Sequence, residues 1–96
     1  MENNILKELS LIIKDRKENP SKDSYVSDLF EKGKIKIANK FGEEAFETVS
    51  AFLGEGKKEI TEESADLLFH FMILLEDSDI SLDEVLDVLK KRKGND

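Results

Sequence analysis

Apolar residues recur at helical spacing along nearly the whole chain and nowhere alternate with a period of two, a pattern that predicts helices and no sheet. The first helix is read from about Asn4 to Lys17, where Ile5, Leu6, Leu9, Ile12 and Ile13 share a face. It must end before Pro20, because the residue preceding a proline avoids helical backbone. Ser21 to Asp23 read as a loop. A short second helix, about Ser24 to Glu31, is expected to turn Tyr25, Leu29 and Phe30 inward and to stop at Gly33, a C-terminal cap. The third helix is long, about Lys34 to Leu53, and ends at Gly54. The fourth covers about Glu59 to Glu76. Ser81-Leu82-Asp83-Glu84 is a capping box that opens the fifth, whose expected core face is Leu82, Val85, Leu86, Val88 and Leu89. Lys90-Lys91-Arg92-Lys93 end it, positive charge at the negative pole of the helix dipole. The expected fold is all-α, a bundle of about five helices in a single domain over residues 1–96.

At about 100° per residue, Ile35, Phe41, Ala45, Phe46, Val49, Phe52 and Leu53 fall on one broad arc of the third helix, the expected core face. Lys36, Lys40, Glu44 and Glu47 gather on the opposite side, with Glu43 between. Taken alone this stripe reads as a solvated face with four-apart ion pairs. The fourth helix changes the picture. From Ala65 to Leu75 it is apolar in nearly every direction, as a buried helix is. Yet Glu63, Asp66 and His70 line up on one stripe. Ionised carboxylates on a buried helix are costly unless paired or bound to a metal, so the stripe must face a polar site.

Glu44-x-x-Glu47 on one helix is matched by Glu63-x-x-Asp66 on the next, and residues three apart are surface neighbours. A turn around Gly54 to Lys58 makes the two helices antiparallel partners, so the two acidic pairs can meet. Four carboxylates in one place repel unless a cation joins them, and an all-oxygen set suits Mg²⁺ or Mn²⁺. Iron is disfavoured, because di-iron bundles use two Glu-x-x-His motifs and this chain has one His. Pairing of Glu63 and Asp66 with lysines is the alternative.

Composition narrows the classes. The chain has 96 residues, 15 Lys+Arg against 22 Asp+Glu and a net charge of −7, which speaks against a general nucleic-acid binder. Apolar content is 39%, modest for a core, and charged content is also 39%; this balance favours an oligomer that buries its remaining apolar surface between subunits. With no cysteine there is no disulfide, thiolate zinc site or cysteine nucleophile, which fits a reducing compartment. No apolar run is long enough for a membrane helix, and Met1-Glu2-Asn3-Asn4 lacks the basic start of a signal peptide.

Glu43-Glu44-x-x-Glu47 followed by Glu63-x-x-Asp66 resembles the signature of the all-α nucleotide pyrophosphohydrolases, the MazG-like superfamily. The chain from about Leu9 to Arg92 resembles one branch more closely, the phosphoribosyl-ATP pyrophosphohydrolase family. The resemblance is carried by Arg16-Lys17, Ser24-Tyr25, Leu29, Gly33, Lys40-x-Gly42-Glu43-Glu44-Ala45-x-Glu47, Glu63-x-Ala65-Asp66-Leu67-Leu68-Phe69-His70 and Leu89-x-x-Arg92. Phe46 and Thr48 are minor departures outside the acidic pattern. The resemblance implies a cytoplasmic homodimer in histidine biosynthesis. It also implies Mg²⁺-dependent hydrolysis of phosphoribosyl-ATP between its α and β phosphates, giving phosphoribosyl-AMP and pyrophosphate. Some relatives carry a fused cyclohydrolase that uses zinc and cysteines; a chain of this length without cysteine is expected to perform the pyrophosphohydrolase step alone.

On this reading Glu44, Glu47, Glu63 and Asp66 hold the metal, with Mn²⁺ an acceptable substitute, and Glu43 or Glu47 is the general base. Arg16, Lys36, Lys40 and His70 are the substrate-binding candidates; His70 can instead orient a ligand. Two other readings stay open: a general nucleoside triphosphate pyrophosphatase with the same site, and a non-catalytic acidic helical module that binds a partner.

Overall fold

A computed structural model of the chain describes residues 4–95. Met1 to Asn3, on which the expected lack of a signal peptide partly rested, lie outside the described residues, as does Asp96. Five α-helices follow in order: α1 (Ile5–Glu18), α2 (Tyr25–Lys32), α3 (Lys34–Gly54), α4 (Lys57–Asp77) and α5 (Leu82–Arg92). Among the described residues there is no strand, and no helix is long and apolar enough to cross a membrane.

The helix ends follow from local chemistry. Ser24 accepts the Ser27 N–H at its hydroxyl oxygen, 3.0 Å away, and so starts α2. Gly33 separates α2 from α3 with φ +96°, a left-handed backbone that a side chain would strain. The Ser81 capping box forms as expected: the Glu84 N–H donates to Ser81 Oγ and the Ser81 N–H to Glu84 Oε2.

The two residues between α3 and α4 fold these long helices back on each other, and their mutual contact dominates the fold. α1 and α2 close one side around Ile13, Val26, Leu29, Ile37, Met72 and Ile73. Ile13, Leu29 and Ile73 are fully buried, each contributing about 1.5–3 kcal/mol by leaving water. Ser27 ties the loop before α2 to α1, donating to the Arg16 carbonyl and accepting from the Ser21 N–H. Lys17 donates to the Glu76 carbonyl at 3.0 Å, in the last turn of α4, and lies beside Asp79 and the Phe30 ring, so it secures the fold.

Four expectations about burial need correction. Tyr25 is about half exposed, because it is the first residue of α2 and leans along the rim; Val26 is buried in its place. The apolar arc of α3 is not the core of this chain. Ile35, Phe46, Phe52 and Leu53 are each more than 70% exposed, and Val49 is exposed too. The face of α3 that packs inside carries Ile37, Glu44 and Ala51, seven residues apart in turn. α4 is not buried all round either: His70, Met72, Ile73 and Leu75 are buried, while Leu68 is exposed. No residue of α5 is buried, and Leu86, Val88 and Leu89 are exposed. In each helix the pattern correctly marks an apolar face, but part of that face finds no cover within one chain.

Candidate active site

α3 and α4 bring acids together at their interface. Glu44 is buried at 8% exposure, Glu63 is half-buried and Asp66 is exposed. One carboxylate oxygen from each of the three lies within 4.8 Å of the others. Glu47 lies close enough for its charge to act on the carboxyls of both Glu44 and Glu63. Thr48, one turn beyond Glu44, fastens the helices below the acids. Its Oγ1 is 2.7 Å from the Glu44 carbonyl oxygen and 3.1 Å from that of Glu63. The hydroxyl has one proton for two acceptors, so the carbonyls share it. Thr48 was set aside on sequence as lying outside the acidic pattern; its position four residues after Glu44 was the available signal.

Burial, above all, pushes the Glu44 carboxyl above the usual carboxylate range, with the charges of Glu47 and Asp66 adding to the rise. Glu63 is also raised, first by burial and then by Glu47, Glu44 and Asp66. Oε2 of Glu44 and Oε2 of Glu63 are both buried without a hydrogen-bond partner. Buried acceptors left unpaired are costly, and here two from facing helices sit in one acidic group. A divalent cation with a preference for oxygen ligands satisfies both oxygens and cancels the repulsion, so the residues present fit a hard metal ion.

This arrangement makes metal-free stability depend on pH. A carboxyl whose pKa is raised on folding stabilises the fold below its unfolded value and loses that contribution as pH rises through the folded one. The melting temperature without metal is therefore expected to fall as pH climbs from the ordinary carboxylate range towards neutrality. Mg²⁺ is expected to restore it, more strongly at neutral than at acid pH. At a free concentration about tenfold above Kd the gain is about 1.4 kcal/mol, a rise of roughly 6–11 °C. Thermal melts across pH with and without Mg²⁺ measure both; a metal shift that is absent, or larger in acid, contradicts the site.

The remaining candidates are distributed unevenly. Lys40 pairs with Glu43, Nζ to Oε2 3.2 Å, at the edge of the acids. His70 is buried at 7% exposure, with Nδ1 2.8 Å from the Asp66 carbonyl oxygen and Nε2 2.8 Å from the Tyr25 hydroxyl. The rings of Tyr25 and His70 meet edge to face, 5.7 Å between centroids. Arg16 is paired with its neighbour Asp15 at 2.9 Å, and Lys36 is exposed on α3. Neither belongs to the three-acid group. A cavity of about 550 Å³ bordered by Leu6, Leu11, Met72 and Leu86 contains none of these acids in its lining.

Residues 6–93 match the family described as phosphoribosyl-ATP pyrophosphohydrolase. The chain belongs to that family. Among curated relatives, the phosphoribosyl-ATP pyrophosphatase of Geotalea daltonii is 46% identical over 98% of this chain and 89% of its own length. That of Metallosphaera sedula is 47% identical over 92% of this chain and 95% of its own. The histidine biosynthesis bifunctional protein HisIE of Pyrococcus furiosus is 52% identical over 93% of this chain but only 41% of its own length. The chain thus spans about two-fifths of the bifunctional relative and most of those named for the pyrophosphatase alone.

Proposed function

We propose that this chain is a single-domain enzyme that hydrolyses phosphoribosyl-ATP to phosphoribosyl-AMP and pyrophosphate, the second step of histidine biosynthesis, in the cytoplasm. The observation that carries this reading is the meeting of Glu44, Glu63 and Asp66 across α3 and α4 with two buried oxygens unpaired. Family membership supports the substrate.

Glu44, Glu63 and Asp66, joined by Glu47, would hold Mg²⁺, with Mn²⁺ able to replace it. The bound ion would supply charge withdrawal from the phosphoryl oxygens and a lowered pKa for an attacking water. Hydrolysis joins the oxygen of a water molecule to the α phosphorus as the bond from that phosphorus to the α–β bridging oxygen breaks, and pyrophosphate leaves with the bond's electron pair. The proton passes to a carboxylate. Glu47 lies within electrostatic reach of the cluster acids and is the better-placed acceptor; Glu43 is ion-paired, and in this reading it holds Lys40. Lys40 meets the phosphate charge at the edge of the site, with Lys36 and Arg16 as outer contributors.

A homodimer is part of the proposal. The exposed arc of α3, from Ile35 to Leu53, is a run of large apolar side chains too extensive for an open surface, and a second copy would cover it.

The direct test is incubation with phosphoribosyl-ATP and Mg²⁺ while following pyrophosphate, alongside a panel of nucleoside triphosphates. Release from phosphoribosyl-ATP in strong preference supports the proposal. Equal release from the panel would indicate a general pyrophosphatase, and none from any nucleotide would leave the acidic interaction module.

A further inference from the structure

The buried imidazole of His70 and the phenol of Tyr25 are 45 residues apart in sequence and 2.8 Å apart in the fold. Each nitrogen of the ring is already engaged. Nδ1 faces a backbone carbonyl, that of Asp66, which can only accept, so Nδ1 carries the proton. In the neutral ring Nε2 is then a bare acceptor, and the group at its end is the Tyr25 O–H, which must donate. That leaves the phenol oxygen with its lone pairs free to accept. The Lys40 ammonium lies near this phenol, and its charge opposes the rise in the phenol pKa that burial causes. One N–H of Lys40 goes to Glu43. Of the three N–H groups on an ammonium, two remain, one for the phenol and one for a ligand.

We infer that His70 and Tyr25 form a positioning pair: the directed chain from the Asp66 carbonyl through imidazole to phenol turns the free lone pairs of the phenol oxygen outward to accept from Lys40, which aims another N–H of Lys40 at a substrate phosphate oxygen. His70 therefore does not touch substrate; it acts through Tyr25. The inference rests on the proposed pyrophosphohydrolase reaction for its kinetic consequence, but the hydrogen-bond chain itself does not depend on that reaction. The observed bonds join α2 to α4 beside Lys40 of α3, so the phenol gives Lys40 a tertiary partner in addition to Glu43 on its own helix.

The protein has one His and one Tyr, so each is a spectroscopic probe free of overlap. In ¹⁵N NMR of the whole protein at neutral pH the lone imidazole is expected as the Nδ1–H tautomer with Nε2 an acceptor. Tyr25→Phe, which removes one exposed-edge hydroxyl and leaves the ring, is expected to shift the Nε2 resonance while the protein stays folded. Kinetically, Tyr25→Phe is expected to raise KM about fivefold to tenfold, the size of one lost hydrogen bond, with a smaller change in kcat. His70→Asn keeps a donor for the Asp66 carbonyl but removes the Nε2 acceptor, and is expected to match Tyr25→Phe. His70→Gln, whose amide oxygen reaches the Nε2 position, is expected to recover most of the loss. The double variant Tyr25→Phe/His70→Asn should be no worse than either single one.

An imidazolium or an Nε2–H tautomer overturns the chain. Additive losses, or a His70→Asn defect that persists at full size in the Tyr25→Phe background, overturn the positioning pair and make His70 a direct contact. If the wild-type protein does not hydrolyse phosphoribosyl-ATP, the proposed function fails, and the tautomer measurement still decides the hydrogen-bond chain.

Discussion

Glu44→Gln is expected to lower turnover of phosphoribosyl-ATP by roughly two orders of magnitude or more, the scale on which a single charge-stabilising group is lost from an active site. The same substitution is expected to leave the metal-free protein as stable as before, or more so. Glu44 is buried among acids, and its carboxyl already resists ionisation there. The amide is the same shape, carries no charge and can donate to a neighbouring carboxylate. Asp66→Asn should lose turnover similarly, and its melting temperature without metal should not fall, because it also removes a like charge. Measured together, rate and melting temperature separate a site that sacrifices stability for chemistry from a framework acid, whose loss would lower both. Near-normal turnover in either variant would remove the site.

The second large effect concerns the outer face of α3. Phe46 and Leu53, seven residues apart and each over 70% exposed, share one stripe of it. A large apolar side chain leaving water contributes about 1.5–3 kcal/mol, and a two-fold interface uses each residue twice. Phe46→Lys/Leu53→Lys is therefore expected to weaken self-association by roughly 6 kcal/mol or more, over about four orders of magnitude in Kd. Sedimentation should find a dimer for the parent chain and a monomer for the variant at micromolar concentrations. A variant that remains dimeric would exclude this face from the interface.

The helices were legible because their signals are local: a 3.6-residue period, serine caps at Ser24 and Ser81, Gly33 and Pro20 as stops. The approach of Glu44 to Glu63 and Asp66 was legible too, since a short turn between two long helices leaves few ways to arrange two three-apart pairs. What could not be read was which side of α3 packs within one chain. Phe46 and Phe52 have the same hydrophobic spacing whether they meet their own core or a second copy, and only the tertiary contact of α3 with α4 decides. Tyr25 and His70 fell outside reach for a different reason. Their contact crosses 45 residues, and neither neighbourhood carries a trace of it. The cross-helix bond of Thr48 was not legible, because a threonine in a helix ordinarily bonds only to its own preceding turn.

The bond from Thr48 to two carbonyls on different helices has a consequence for the kinetics of ion capture. The backbones of Glu44 and Glu63 are clamped together from behind, so mutual repulsion of the acids cannot spread α3 and α4 apart in the ion-free protein. The electrostatic cost is met during folding and not at the moment of binding. Capture then requires little rearrangement of the chain, and its speed should be governed by how quickly the hydrated ion sheds water.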